Sequence, residues 1–387
     1  MLLPTHRPPH TPGEIRQALS LVRMHGAQTR AFFERKVREY LGTERFVPTG
    51  SGRRALYFGM RLLGIGQGDQ VIYPAYTPAI VPLIIRATGA EAVPCDVTPQ
   101  DWTLDPGLVS GLITDRTRAV LPVHQYGCPP DLGKLGEICR KNDLFLVENA
   151  APAFGAWCSG KPAGMTGDVG IFSFGLGKSL SLGGGGGLVV RDPALFPRAA
   201  RDLAPVGSRS SLSLLATLFA SRGLSHPALY HTAGFRLKRF RVAREYRNYT
   251  RDLADARDLA PLAYGLGACG LARRCFEERV RNAAYYRALL RDSPGIRPQS
   301  EREGSASIST RFFVVTRSPA AREAICQALV HEGIEPGPPE DLWFLPAAAG
   351  AREEDFPVSR QLAETLVGIP VYTRIPVETI RRVFSAP

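Results

Sequence analysis

Short apolar runs alternate with amphipathic stretches from residue 70 to residue 192, and this alternation limits the possible folds more than any other feature of the sequence. The apolar runs are residues 70–74, 92–97, 118–124, 144–150, 169–174 and 188–190. Most of them are separated by helical patterns, such as residues 78–87 and 132–141. Strands that are apolar on both faces and separated by helices are typical of a mainly parallel sheet covered on both sides. The sequence therefore predicts an α/β fold with three layers, helix, sheet and helix.

Helical patterns also flank this region. Residues 13–42 repeat apolar positions at helical spacing and stop at Gly42, a common helix end, and residues 262–292 indicate one long helix. The last part of the chain contains a predicted strand and three predicted helices, at residues 308–316, 319–332, 358–367 and 377–384. We expect a large domain over residues 1–260 and a smaller C-terminal α+β domain over residues 261–387.

Composition narrows the class of protein. The chain has 387 residues, of which 44% are hydrophobic and 22% charged, as in soluble globular proteins. Its seven cysteines are scattered singly without a CxxC pair, so we expect no metal site and no disulfide framework. The formal charge of +12 favours anionic partners, but the basic residues are spread along the chain, which argues against nucleic acid. The first residues lack the apolar core of a secretory signal, so we expect a cytoplasmic protein.

Polar residues end several of the predicted strands. His124 ends one run, Glu148 and Asn149 end the next, and Ser173 and Lys178 follow a third. Each alone has an ordinary structural interpretation: a histidine bonded to a turn, a solvated strand end or a small packing residue. Because ligands of such sheets bind at the carboxyl ends of the strands, their coincidence predicts one crevice that contains all of them.

Lys178 follows the apolar strand 169–174 and precedes five consecutive glycines, Gly183 to Gly187. It is either a solvated loop lysine, the usual case, or a lysine whose amine is kept nucleophilic by a desolvating pocket and forms a Schiff base.

A second small-residue turn, residues 47–56, opens a helix that starts near Ser51 and Gly52. Free N–H groups at a helix start, preceded by glycines, bind anions. An ordinary glycine-rich N-cap is the alternative. Arg53 and Arg54 in the first turn oppose the helix dipole, and an anionic ligand would compensate them.

Residues 205–250 interrupt the alternation. The apolar residues 212–220 are too few to span a bilayer, and the basic-aromatic residues 235–244 follow them. We interpret this stretch as a buried helix with a solvated basic neighbour. The alternative is a docking surface for an acidic membrane face or a partner subunit.

Taken together, the chain resembles the DegT/DnrJ/EryC1/StrS sugar aminotransferases, pyridoxal-phosphate enzymes of fold type I. Two of the matching motifs are Val147-Glu-Asn-Ala-Ala-Pro-Ala-Phe-Gly-Ala156 and Gly167-Asp-Val-Gly-Ile-Phe-Ser-Phe174. Residues 63–74, 114–127 and 356–366 match further motifs. The order and spacing of these loose motifs carry the resemblance over almost the whole chain.

The resemblance implies that Lys178 holds pyridoxal 5′-phosphate as an imine and moves a proton between carbons. It also implies a phosphate near Ser51, Gly52 and Arg53, with Ser173 as a further donor. Tyr76 and Asn149 would lie near the cofactor ring, and His124 would contact substrate. The implied substrates are nucleotide-linked keto sugars, with glutamate or glutamine as amino donor and two subunits completing each site.

Some positions depart from the family pattern. Asn149 stands where the family usually has the Asp that keeps the pyridine nitrogen protonated. Pro152 replaces a usual Gln, and Pro78 replaces the aromatic that stacks on the ring. The Asn that the partner subunit usually contributes has only a suggestive match in residues 248–250, and the His common in the small domain is absent from residues 335–339. Two alternatives to a transaminase stay open: a catalytically degenerate subunit with a binding or scaffold role, and a cofactor enzyme of dehydration or elimination chemistry.

Overall fold

A computed structural model of the chain describes residues 10–224, 249–273, 276–337 and 351–385. Elements are numbered in chain order within this part. The helices are α1 (Pro12–His25), α2 (Thr29–Leu41), α3 (Gly52–Leu62), α4 (Ile80–Ala87), α5 (Pro106–Val109), α6 (Leu132–Lys141), α7 (Phe196–Asp202), α8 (Ser211–Leu224), α9 (Tyr249–Ala254), α10 (Pro261–Ala272), α11 (Glu277–Leu290), α12 (Pro319–His331), α13 (Pro357–Thr365) and α14 (Val377–Phe384). The strands are β1 (Phe46–Thr49), β2 (Gln70–Pro74), β3 (Glu91–Cys95), β4 (Thr117–Val120), β5 (Phe145–Asn149), β6 (Trp157–Cys158), β7 (Lys161–Pro162), β8 (Val169–Ser173), β9 (Gly186–Val190), β10 (Ile296–Pro298), β11 (Ser305–Ala306), β12 (Phe312–Thr316) and β13 (Leu366–Ile369).

The central sheet has seven strands in the order β1-β9-β8-β5-β4-β2-β3. Strand β9 is antiparallel to both of its neighbours, and the pairs among β8, β5, β4, β2 and β3 are all parallel. Strand β1 therefore runs in the same direction as β8. As a result, the carboxyl ends of β1, β2, β4, β5 and β8 all lie at one edge of the sheet, the edge where such folds bind ligands.

Helices cover both faces of this sheet. On one face α3, α4 and α7 bury Val71, Tyr73 and Ile171. On the other face α2 and α10 pack on Phe172, while α6 packs on Ile72. Because successive strand residues point to opposite faces, Tyr73 and Ile72 enter different layers. The predicted three-layer α/β fold with a mainly parallel sheet is confirmed.

The helical pattern of residues 13–42 forms two helices, not one continuous helix. Helix α1 ends at Gly26, whose φ of 53° breaks the helical path, and α2 ends at Gly42 in the left-handed conformation (φ 68°) as predicted. The chain therefore turns once before it enters the sheet.

The prediction of one long helix over residues 262–292 was wrong. Helix α10 packs against α1 and α2, and its residues Leu262 and Tyr264 lie in the core of that part. Helix α11 instead buries Tyr286 and Leu290 in a separate C-terminal core with Phe312. The two halves serve different cores, so the helix does not continue from one to the other.

The C-terminal core contains an antiparallel sheet of order β10-β12-β13. Its central strand is shorter than the predicted strand 308–316. The predicted helix 358–367 ends at Thr365, because Leu366 begins strand β13. The domain boundary at residue 260 stays a prediction, and it lies immediately before α10, the helix that packs on α1 and α2.

Candidate active site

The start of helix α3 lies against the end of strand β8. Ser51 caps the helix, its Oγ accepting a hydrogen bond of 3.1 Å from the N–H of Arg54. A Cβ on Gly52 would lie 2.8 Å from Ser173 Cβ and 3.1 Å from the carbonyl oxygen of Phe172. The structure thus brings Ser51, Gly52 and Ser173 together, as the sequence predicts, and only a glycine fits at position 52.

The glycine run after Lys178 makes this approach possible. A Cβ on Gly186 would lie 2.4 Å from the backbone nitrogen of Gly52, and one on Gly187 would lie 2.2 Å from the ring of Phe46. Real Cβ atoms do not come this close to other atoms. The glycines therefore let strand β9 pass directly against the helix start, which keeps backbone N–H groups there close to the sheet edge.

Lys178 lies half-buried in the loop that follows β8. Its backbone N–H donates to the carbonyl oxygen of Gly175 at 3.2 Å, and the preceding Gly177 has a φ of 87°. The next residue, Ser179, is buried and donates its hydroxyl to the carbonyl oxygen of Phe154 at 2.6 Å. The loop is thus fixed on both sides of the lysine, at the carboxyl edge of the sheet.

Asn149 ends strand β5 at the same edge. Its backbone N–H donates to the carbonyl oxygen of Pro122, and its own carbonyl oxygen accepts from the N–H of His124. The side-chain Oδ1 accepts a hydrogen bond of 3.2 Å from the N–H of Ala151. A neutral amide is therefore held at a fixed position on the second strand of the site.

His124 and Glu148 form a pair in the interior. Both side chains have no exposed surface, and His124 Nε2 lies 2.9 Å from Glu148 Oε1. The carboxylate also accepts hydrogen bonds from the N–H groups of Gly164, Thr166 and Gly167, at 2.6, 2.7 and 2.8 Å. Burial acts to raise the pKa of Glu148, but the bond to His124 and these backbone N–H groups hold it below its usual value. The imidazole presents no surface to a ligand in this structure, so the predicted substrate contact of His124 has no geometric support and stays a prediction.

The two arginines of the first helical turn differ in placement. Arg54 is buried, donates to the carbonyl oxygen of Leu253 at 2.6 Å and lies over the ring of Phe58. Burial lowers the pKa of Arg54. Its guanidinium is directed at Leu253 and Phe58, whereas the sequence suggested that an anionic ligand compensates its charge. Arg53 is half-buried in the same turn.

Tyr76 belongs to an aromatic cluster that joins the sheet to strand β12. Its side chain is fully buried and its hydroxyl lies 2.9 Å from the hydroxyl of Tyr126, whose ring stacks on Phe313. Burial raises the pKa of Tyr76. The structure thus places this predicted ring neighbour in the core, and a contact with the cofactor stays a prediction.

Arg209 contacts the turn before helix α3, which the sequence pattern did not indicate. Its guanidinium donates from Nη1 to the carbonyl oxygen of Gly50 at 3.1 Å, one residue before Ser51. The contact spans 159 positions, and no local motif marks it.

The model of the DegT/DnrJ/EryC1/StrS aminotransferase family matches residues 13–216 and 263–386. The chain belongs to this family, whose cofactor is pyridoxal 5′-phosphate. The residues present fit that cofactor: Lys178 is a half-buried amine on a fixed loop, and Ser51, Gly52 and Ser173 surround a helix start that has no room for further side chains. Within the described residues, no cluster of three or more His, Cys, Asp or Glu side chains could hold a metal ion.

Several known proteins are similar to this chain. A dTDP-3-amino-3,4,6-trideoxy-alpha-D-glucose transaminase of Streptomyces venezuelae is 44% identical over 182 residues, which is 47% of this chain and 48% of that protein. The chain thus matches about half the length of that relative. A transaminase of the same name from Micromonospora megalomicea subsp. nigra is 28% identical over 92% of this chain and 87% of its own length. The crystal structure of S. venezuelae DesV in complex with a ketimine intermediate superposes with a TM-score of 0.72 at 28% identity, covering 96% of this chain and 93% of that one.

Proposed function

We propose that this chain is a pyridoxal-phosphate-dependent aminotransferase that moves an amino group from glutamate or glutamine to a keto sugar, free or linked to a nucleotide. The observation that carries the proposal is the close packing of Gly52 on Ser173, beside the fixed loop of Lys178. In this proposal the helix start holds the phosphate of the cofactor, and the amine of Lys178 at the same sheet edge reacts with its aldehyde. The named transaminases similar to the chain support the sugar as substrate.

The residues have distinct roles in this proposal. The bound cofactor supplies a ring that accepts the electrons of a broken C–H bond. The backbone N–H groups of Gly52 and Arg53, with the hydroxyls of Ser51 and Ser173, bind its phosphate. The ε-amine of Lys178 holds the cofactor and carries the proton between the carbons of the substrate and the cofactor. Asn149 hydrogen-bonds the ring nitrogen.

Asn149 sets the rate in this proposal. An amide can hydrogen-bond a ring nitrogen, but it carries no charge to keep that nitrogen protonated. We therefore expect transamination to be slower than with a carboxylate at this position. Asn149 is also the reason for the two alternatives. These are dehydration or elimination chemistry, and a degenerate subunit with a scaffold role.

The first test is Lys178→Ala. Wild-type protein purified with cofactor is expected to show the visible absorbance of a lysine-linked cofactor, and the variant is expected to lack it. Lys161→Ala, at an exposed lysine of β7, serves as the matched control and keeps the absorbance. Colourless wild-type protein that does not respond to added pyridoxal phosphate would support the scaffold alternative.

The second test separates the enzyme alternatives. Wild-type protein loaded with cofactor is incubated with glutamate or glutamine and a panel of nucleotide-linked keto sugars, and amino sugar is measured by mass spectrometry. Formation of an amino sugar supports the proposal. Loss of water from the sugar without gain of nitrogen would replace transamination with dehydration.

We further propose that the protein is a cytoplasmic homodimer in which both subunits complete each site. Light scattering coupled to size exclusion measures the mass directly. A monomer that retains full amino-transfer activity would contradict the shared site.

We also propose a peripheral contact with an anionic membrane through the exposed face of helix α8. Val206, Leu212 and Phe219 are 75%, 77% and 56% exposed, and Leu212 and Phe219 lie seven residues apart on one helix face, while Leu218 is buried. This corrects the interpretation of residues 212–220 as a buried helix. The family match leaves out residues 217–262. Of these, residues 222–247 hold seven Lys and Arg and one Glu, half of the net charge of +12.

An apolar helix face followed by a basic stretch favours an acidic lipid surface over a second copy of this basic chain. The basic residues 235–244 lie outside the described residues. No helix in the described part is long and apolar enough to span a bilayer. Full-length protein is expected to sediment with vesicles containing phosphatidylserine but not with phosphatidylcholine alone, and Leu212→Ser with Phe219→Ser is expected to reduce the bound fraction. Equal sedimentation of both proteins would contradict the proposed face, and a change of mass without lipid would indicate a protein interface.

A further inference from the structure

Arg209 lies between the two segments that frame the start of helix α3. Its Nη1 is 3.1 Å from the carbonyl oxygen of Gly50, in the turn before the helix. The same nitrogen lies 3.9 Å from the position that a Cβ on Gly184 would take, in the glycine run after Lys178. Because Gly50 is two residues before Gly52, chain geometry keeps the guanidinium within about 10 Å of the first helical N–H groups.

The segment that carries Arg209 is itself fixed. Its backbone N–H donates to the carbonyl oxygen of Asp258 at 3.0 Å, and Val206 donates to the carbonyl oxygen of Ala256 at 3.0 Å. The side chain of Arg209 is 33% exposed, so it has both a defined position and an accessible face.

The acidic partner of Arg209 in the described part of the chain, Asp255, is shared with a second arginine. Nη2 of Arg209 lies 3.1 Å from Asp255 Oδ2. The same carboxylate accepts two hydrogen bonds of 2.9 Å from Arg257, from Nε and from Nη2. Within the described residues, two guanidinium groups therefore share the single carboxylate of Asp255, which carries one negative charge for two positive charges. Arg54, a buried cation at this helix start, is directed at Leu253 and Phe58 instead.

We propose that Arg209 supplies the positive charge of the phosphate end of the cofactor site and makes the protein select phosphorylated over unphosphorylated cofactor. This inference rests on the proposed cofactor site, but it does not depend on the substrate or on turnover. A guanidinium adds a charge-assisted hydrogen-bond donor to backbone N–H groups that are otherwise neutral.

The test compares two ligands that differ only in the phosphate. Cofactor-free full-length protein is titrated with pyridoxal 5′-phosphate and, in parallel, with pyridoxal, and binding is followed by absorbance and by quenching of intrinsic fluorescence. Arg209→Gln is expected to lower the affinity for the phosphorylated ligand at least tenfold and to leave the affinity for pyridoxal within twofold. Arg209→Lys, which keeps the charge, is expected to recover part of the preference.

Arg257→Gln is the matched control, because the Arg257 guanidinium binds the same Asp255, and it is the backbone carbonyl of Arg257, which this substitution keeps, that lies near Gly50. It is expected to keep both affinities within twofold. Equal losses for the two ligands in Arg209→Gln would show that Arg209 only holds the turn, and unchanged affinities, or a wild-type protein without preference, would equally overturn the inference. Thermal unfolding of each cofactor-free variant checks that the fold is intact. Selective cofactor binding without amino transfer to any sugar would sink the proposed reaction and leave the role of Arg209 standing.

Discussion

Glu148 and Asn149 are neighbours on strand β5, yet their side chains have different surroundings. Successive strand residues point to opposite faces of a sheet. Glu148 is fully buried and is satisfied by His124 and by three backbone N–H groups. Asn149 lies at the carboxyl edge, and its side chain accepts one backbone hydrogen bond, from Ala151. A fully satisfied polar group maintains the structure, whereas one that keeps hydrogen-bonding capacity at a sheet edge is available to a ligand.

Removal of the interior carboxylate is expected to have the largest effect on stability. Glu148→Ala leaves three backbone N–H groups and His124 without an acceptor, and we expect a loss of about 3–5 kcal/mol in the free energy of unfolding. Urea unfolding followed by circular dichroism measures this loss. Glu137→Ala, at an exposed position of α6, is the control and is expected to change the stability by less than about 0.5 kcal/mol. A loss for Glu148→Ala no larger than that of the control would place Glu148 outside the structural core.

The free energy of unfolding is expected to depend on pH through the same carboxylate. The pKa of Glu148 is lowered in the folded protein, so its carboxylate contributes stability that is fully present above the unfolded value of about 4.3 and is lost as the pH falls below it. We expect the stability difference between wild type and Glu148→Gln to shrink below pH 4. Chemical unfolding at a series of pH values measures it. A difference that grows on acidification would contradict a charged Glu148.

Sequence patterns predicted the sheet well because its strands are buried on both faces, which leaves continuous apolar runs. They also predicted that Asn149, Ser173 and Lys178 lie at the carboxyl edge of the sheet, since Asn149 and Ser173 end such runs and Lys178 follows one. The same patterns joined α10 and α11 into one helix, because both segments are locally helical and only their burial in different cores separates them.

Partners that are distant along the chain were beyond local patterns. The sequence predicts a substrate contact for His124, which stays a prediction, but it does not show that the side chain is buried and pairs with Glu148. Arg54 in the first turn of a helix favours a nearby anionic ligand from sequence alone, but Leu253, 199 positions away, accepts its hydrogen bond. The contact of Arg209 with Gly50 likewise joins residues that are distant along the chain. The local sequence shows where a strand ends, but the direction of a side chain at that end depends on partners that are distant along the chain.

Gly52 lies at the carboxyl edge of the sheet, where helix α3 begins. Gly52→Ala places a Cβ 2.8 Å from Ser173 Cβ, so either the helix start or strand β8 must shift. We expect a loss of about 1–3 kcal/mol in stability, together with weaker binding of pyridoxal phosphate in an absorbance titration. Gly111→Ala, where the added Cβ meets nothing within 4 Å, is the control and should change neither quantity. Normal cofactor affinity in Gly52→Ala would mean that the phosphate does not bind at this helix start.

The smallest expected effect comes from the edge residue itself. Asn149→Asp exchanges an amide for a carboxylate that can keep a ring nitrogen protonated, and we expect the half-reaction with glutamate to accelerate about tenfold, equivalent to about 1.4 kcal/mol in the barrier. Stopped-flow absorbance measures the rate, and Asn142→Asp, at an exposed asparagine, is the control. A faster half-reaction with little change in stability would distinguish Asn149 from Glu148, because replacement of Glu148 is expected mainly to lower the stability. If Asn149→Asp instead destabilises the protein as strongly as Glu148→Ala and leaves the rate unchanged, then Asn149 is also a structural residue, and the ring nitrogen must be held elsewhere in the site.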